Sequence, residues 1–180
     1  MLSLFARKKT QWKFVPQTIS LVLNSTVYNN EPENYRCPFC CIVEGVEGEF
    51  PLTKQADVIY RDEVITAFIA SHWRPDNKGH VIVIPNAHIE NLYDMPDDLL
   101  AAVHSYARRV ARALKIAYGC EGVSVRQNNE GAGDQDVWHY HVHVVPRFEG
   151  DNMYQSYQKI FLSDPAERIV MAEKVRAALS

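Results

Sequence analysis

The chain has 180 residues, is 47% hydrophobic and 23% charged, and carries a formal net charge of -3. That length suits one domain with a full core plus flanking extensions. The composition excludes a disordered or low-complexity chain, and the negative balance gives no basic surface for a nucleic-acid partner.

The first thirty residues hold four basic side chains, Arg7, Lys8, Lys9 and Lys13, and no acid. Residues 1–34 read as an N-terminal extension, with organellar targeting by residues 1–30 as the alternative. The apolar run Ile19–Leu23 is too short to span a membrane, so no membrane partner is expected. The loop-like stretch Asn29–Asn34 leads to a domain over 35–148, followed by a C-terminal extension, 149–180. Val58–Tyr60 and Ile65–Ile69 are β-rich and predict a hairpin. Turn residues 74–79 precede a strand over His80–Ile84, stopped by Pro85. Pro96 opens a long helix at its first position, with Leu100, Val103, Ala107, Val110, Leu114 and Ala117 at helical spacing and Gly119 as the stop. Arg108, Arg109, Arg112 and Lys115 on this helix read as a solvated face.

Gly122–Gln127 predicts a strand, Asn128–Asp136 a glycine-rich loop, and His139–Val145 a strand ended by Pro146. Asp164 and Pro165 start a C-terminal helix whose inner face is Ile169, Ala172, Val175 and Leu179. The sum is an α+β fold with a mostly antiparallel five-stranded sheet, a long helix between the third and fourth strands, and a C-terminal helix.

The chemistry concentrates in His139, His141 and His143, which alternation along a strand puts on one face. Imidazoles in a row suit nucleophilic and proton-transfer chemistry, or metal binding. The preceding loop brings backbone N–H groups and amides near them, as an anion site would, although a plain connection has the same composition. Cys37-x-x-Cys40 is half a metal site, with a reduced core pair or a redox pair as alternatives. Four clustered cysteines, these two with Cys41 and Cys120, do not make a disulfide scaffold and fit a reducing, cytoplasmic setting. Cys41 and Cys120 read as buried thiols, and His72 and His104 as surface or packing residues. Trp73, Trp138, Phe68 and Ile69 are candidates for the walls of a base-binding cleft, or for core.

His139-Tyr140-His141-Val142-His143-Val144-Val145 resembles the histidine triad (HIT) motif, in which histidines alternate with apolar residues. Cys37-Pro38-Phe39-Cys40, Gly79–Pro85, His88 and Pro146-Arg147 look like further features of that family in its order, over residues 35–148. The resemblance implies a HIT-like fold and a nucleotide hydrolase or transferase. Such an enzyme acts at the α-phosphate of nucleotide conjugates, such as dinucleoside polyphosphates or nucleoside phosphoramidates, through a nucleotidyl-histidine intermediate. It makes His141 the nucleophile, with His143 and His80 assisting at the phosphate. Asn128, Asn129 and Gln135 become substrate-loop contacts, and Phe68 and Ile69 line the nucleobase. It further implies a structural zinc held by Cys37, Cys40, His88 and His139, no organic cofactor, a nucleotide as small-molecule partner, and a homodimer.

Three positions depart from the family pattern. Ala70 stands near where an acidic residue contacts the ribose, Asp134 where glycine is common, and Asp136 where a hydroxyl residue often sits. They keep a second reading open, a nucleotide-binding interaction module with little or no turnover. A third is a metal-binding structural protein in which all the histidines serve zinc.

Overall fold

A computed structural model describes residues 28–155 and 159–180. The basic cluster at Arg7–Lys13 and the run Ile19–Leu23 lie outside the described residues. The main sheet contains β1 (Val58–Arg61), β2 (Ile65–Ile69), β4 (Val81–Pro85), β5 (Gly122–Gln127) and β6 (Val142–Arg147), in the order β1-β2-β4-β6-β5. Every neighbouring pair is antiparallel. Two short strands not foreseen, β3 (His72–Trp73) and β7 (Phe161–Leu162), form a separate ribbon. A short helix, α1 (Pro38–Val43), follows Cys37, and the long helix α2 (Asp97–Tyr118) lies between β4 and β5 in the chain. The C-terminal helix is α3 (Pro165–Leu179). No helix among the described residues is long and apolar enough to cross a membrane.

Local chemistry sets these elements. The β1–β2 hairpin turns at Asp62, whose Oδ1 accepts from the backbone N–H of Val64 and Ile65 at 2.8 and 2.7 Å. Pro96 is the N-cap of α2 rather than its first residue, and Asp97 and Asp98 occupy the positive end of the helix dipole. Gly119 ends the helix in the left-handed conformation at φ 64, where glycine carries no Cβ penalty. Val103, Tyr106, Ala107, Val110, Ala113 and Leu114 form the buried face of α2. Complete burial of each Val or Leu there contributes roughly 1.5–3 kcal/mol.

Strand alternation gives the sheet two different faces. Ile65, Ala67, Ile69, Val81, Val83, Val142 and Val144 pack beneath α2 and α3 in the main core. Phe68, Ala70, Ile82 and Ile84 point the other way and pack with Cys37, Phe39 and Ile42 of the α1 knuckle. The register sets Phe68 beside Ile82, Ile82 beside His143 and His143 beside Arg126. This second face carries Phe68 and His143 among the candidate site residues.

Two expectations are corrected. The strand expected over His139–Val145 begins only at Val142 and continues through Pro146 to Arg147. Pro146 is tolerated because its carbonyl accepts from Asn77 Nδ2 at 2.9 Å, so its nitrogen also points away from β5 and no ladder bond is lost. On α3, Ile169 and Val170 are exposed, and Arg168 takes the inward position beside Ala172 and Val175. The cause is electrostatic. Asp57 is buried on η1 (Gln55–Asp57), and Arg168 Nε meets its Oδ2 at 3.0 Å. The rest of the guanidinium donates to the carbonyls of Ser163 and Leu52 at 2.8 and 3.1 Å.

Candidate active site and metal centre

The segment before β6 leaves sheet pairing for bonds to the stretch after β4. Tyr140 N–H donates to the Ile89 carbonyl at 2.6 Å. His139 Nε2 lies 2.9 Å from the Pro85 carbonyl. A carbonyl only accepts, so that nitrogen carries the proton and Nδ1 is left as a donor of electrons. Nδ1 faces Cys37 Sγ at 3.4 Å and Cys40 Sγ at 3.6 Å, and His88 Nδ1 is 3.2 Å from Cys40 Sγ. All four ligand atoms lie within 4.8 Å of one another. Tetrahedral zinc bound by thiolate and imidazole sets its ligand atoms roughly 3.3–3.8 Å apart, so the donor set fits that ion. Burial pushes the Cys37 thiol up and the Cys40 thiol up to about 12, so a cation is what would make these two sulfurs thiolates.

His139 serves a second purpose through its backbone. Its carbonyl lies 2.7 Å from His141 Nδ1. Nδ1 therefore holds the proton, and the Nε2 lone pair is free on the cavity side. Burial lowers the His141 pKa, opposed by the bond to the His139 carbonyl and by the charge of Asp136. Asp136 is exposed, and its Oδ1 stands 4.0 Å from His141 Nε2. His143 Nδ1 is 3.3 Å from His80 Nε2, so the two rings share one proton position. Burial, then the Arg74 and Arg126 charges, push His80 down to about 3. Burial and the neighbouring His141 and His80 likewise hold His143 well below the ordinary histidine value. All three imidazoles are neutral at pH 7.

These histidines open on a cavity of about 270 Å³, at the small end for small-molecule sites. Phe39, Phe68, Ile82, Val137 and Val145 supply apolar wall, whereas Arg74 and Arg126 join the histidines with positive charge. The structure thus brings His80, His141, His143, Phe68 and Asn128 together. His139 keeps the side that alternation gives it, edge-on to Phe39 like His141, but its ring stands with His88 and the cysteines rather than on the cavity. Ile69 does not reach the cavity, because it alternates with Phe68 and lies under the helices. Asn129 and Gln135 do not line it either. Asn129 Oδ1 accepts from Leu92 N–H at 2.8 Å. Gln135 is buried, accepting from Glu130 N–H and donating to the Glu90 carbonyl, both at 2.7 Å. Both amides hold the loop's shape.

Trp73 lines the cavity and Trp138 does not. Ala70, Asp134 and Asp136, the three departures, all lie on its wall. Residue patterns had not singled out Phe39, Thr53, Arg74, Arg126 or Ile160, which also line it. Arg126 becomes identifiable only through its register opposite His143, which is a pairing between distant segments.

Comparison with known proteins agrees with this architecture. The family model for the HIT domain matches residues 52–150. An uncharacterized HIT-like protein of Methanocaldococcus jannaschii is 38% identical over 115 residues, 64% of this chain and 81% of that one. Adenylylsulfatase HINT3 of Arabidopsis thaliana is 30% identical over 135 residues, 75% of this chain and 61% of that one. The crystal structure of a zinc-bound histidine triad family protein from Mycobacterium smegmatis superposes with a TM-score of 0.64 at 34% identity, covering 79% of this chain and 92% of that one. With more than half its length matched by the family model and the fold shared, the chain belongs to the HIT domain family.

Proposed function

We propose that the protein is a nucleotide hydrolase or transferase acting at the α-phosphate of a nucleotide conjugate, with His141 as nucleophile. The observation that carries this reading is the 2.7 Å contact of His141 Nδ1 with the His139 carbonyl, which leaves Nε2 unprotonated toward the cavity. In the first step the Nε2 lone pair forms the N–P bond, and the leaving group departs with the electrons of its bond to phosphorus, an amine taking a proton from solvent as it leaves. The Nδ1–H stays on the carbonyl, which steadies the positive charge that the imidazole gains. In the second step an acceptor oxygen, water in the hydrolase, forms a P–O bond. The N–P pair returns to Nε2 and the water proton passes to solvent. The products of hydrolysis are the nucleoside monophosphate and the leaving group.

His143 and His80 assist at the phosphate oxygens, Phe68 lines the base, and Asn128 contacts the substrate from the loop. Cys37, Cys40, His88 and His139 hold a structural zinc, which supplies rigidity when bound and fixes the residue whose carbonyl orients His141. The positive charge of Arg74 and Arg126 on the cavity wall suits an anionic ligand. Turnover of an adenosine phosphoramidate and of a diadenosine polyphosphate tests the assignment. His141→Ala should lower kcat at least about a thousandfold against the wild type, and a variant retaining a tenth of the activity would refute it.

One observation favours a second reading, nucleotide binding with little turnover. The Asp136 carboxylate, 4.0 Å from Nε2, opposes the approach of a phosphate. Firm AMP binding without product from either substrate would select that reading.

A further inference from the structure

The two histidines of the metal group have different outer partners. His139 Nε2 meets a carbonyl of the sheet, that of Pro85 at the end of β4. His88 Nε2 meets the Glu31 carboxylate at 3.0 Å, from a segment ahead of the residues that match the family. That segment is docked by named bonds. The Glu90 carboxylate, itself buried, accepts from the Asn30 N–H at 2.7 and 2.9 Å and from the Glu31 N–H at 3.2 Å. Asn91 Nδ2 donates to the Tyr28 carbonyl at 3.3 Å, and the Tyr28 ring stands 5.1 Å from that of Tyr93.

We infer that Glu31 is a positioning residue of the metal centre, and that residues 28–34 are a strap whose docking and zinc binding reinforce each other. The inference rests on the reading of Cys37, Cys40, His88 and His139 as a zinc site. An imidazole that ligates through Nδ1 carries its proton on Nε2, and a carboxylate accepting that proton makes the ring a stronger ligand and fixes its plane. Two thiolates balance the charge of the zinc ion, so the Glu31 charge acts directly on the His88 N–H. The converse also holds. Without metal, no ligand bond fixes the plane of the partly exposed His88 ring, so the contact with Glu31 has one anchor fewer. By linkage, whatever the strap adds to zinc affinity, zinc adds to strap docking.

The test uses the full chain, purified with zinc, as wild type, Glu31→Gln and Glu31→Asp. Gln keeps the size and an acceptor oxygen but removes the charge. Competition with a chelator should show zinc bound about 10–100-fold more weakly by Glu31→Gln, with partial recovery in Glu31→Asp. The cobalt-substituted absorption bands should keep their energy, because the four ligands are unchanged. Hydrogen exchange at the Asn30 and Glu31 amides should quicken in Glu31→Gln and in metal-stripped wild type. Zinc affinity within twofold of wild type, or strap amides indifferent to metal removal, would overturn the inference. Wild type that takes up no zinc would overturn it as well, by removing the metal reading on which it rests.

Discussion

His141 owes its free Nε2 to a backbone oxygen, and that oxygen belongs to a residue whose side chain faces the metal group. One residue, His139, therefore joins the knuckle at Cys37 and Cys40 to His141, the proposed nucleophile. The alternation of the triad made His141 and His143 legible as neighbours in the sequence. It also put His139 on the same side, where His139 and His141 both stand edge-on to Phe39, although the strand itself starts three residues later because His139 and Tyr140 bond to the 85–89 stretch. Ile69 was misplaced. Adjacent strand residues face opposite ways, so Phe68 and Ile69 cannot both reach one cavity.

Burial also sets a pH prediction for His80. Its folded pKa, about 3, lies below the ordinary histidine value of 6.5 that the unfolded chain retains. Between those values the unfolded state binds more protons, so stability rises with pH there. The His80 contribution is complete above pH 6.5 and is lost as the pH falls toward 3. Urea unfolding across this window should show declining stability in acid, with a shallower decline in His80→Asn. An equal slope in both proteins would contradict the burial argument.

At the scale of elements, α3 docks through an apolar face of Ala172, Val175 and Leu179 that one buried charge, Arg168, extends. Its helical span and its start at Asp164 and Pro165 were readable from capping chemistry, and Asp164 does accept from the Ala166 and Glu167 N–H groups at 2.7 and 3.3 Å. Ala172, Val175 and Leu179 of its inward face were readable from helical spacing, but the inward turn of Arg168 was not, because Arg168 is acceptable inside only next to a buried Asp57, more than a hundred residues earlier in the chain. Removing one member of such a pair leaves an uncompensated charge. Arg168→Ala should therefore cost about 3–5 kcal/mol in urea unfolding. The double variant Arg168→Met with Asp57→Leu should recover much of that loss. A single variant within about 1 kcal/mol of wild type would show that the pair does not position the helix.

Over the whole molecule, a single sheet separates two tasks. One face is apolar and covered by α2 and α3, which gives the sheet a rigid backing. The other carries the histidines, the cavity and the α1 knuckle. The α+β architecture, the order of its main elements and the Cys37–Cys40 half of the candidate metal group were legible because periodicity, capping residues and motif spacing are local signals, whereas His88 and His139 followed only from the family resemblance. The β3–β7 ribbon, the Arg126 side of the cavity and the loop-bracing roles of Asn129 and Gln135 were not, since each depends on pairing between distant segments. A rigid sheet with one working face suits a reaction that needs a fixed nucleophile and an anion-binding wall, and covalent capture of the nucleotide is the central claim. Intact-protein mass spectrometry of rapidly acid-quenched reactions tests it most directly, with wild type and His141→Ala each mixed with an adenosine phosphoramidate or a diadenosine polyphosphate. The account predicts a transient adenylyl adduct on wild type alone, mapped to His141. Product release with no adduct at any quench time, or an adduct that persists in His141→Ala, would contradict it.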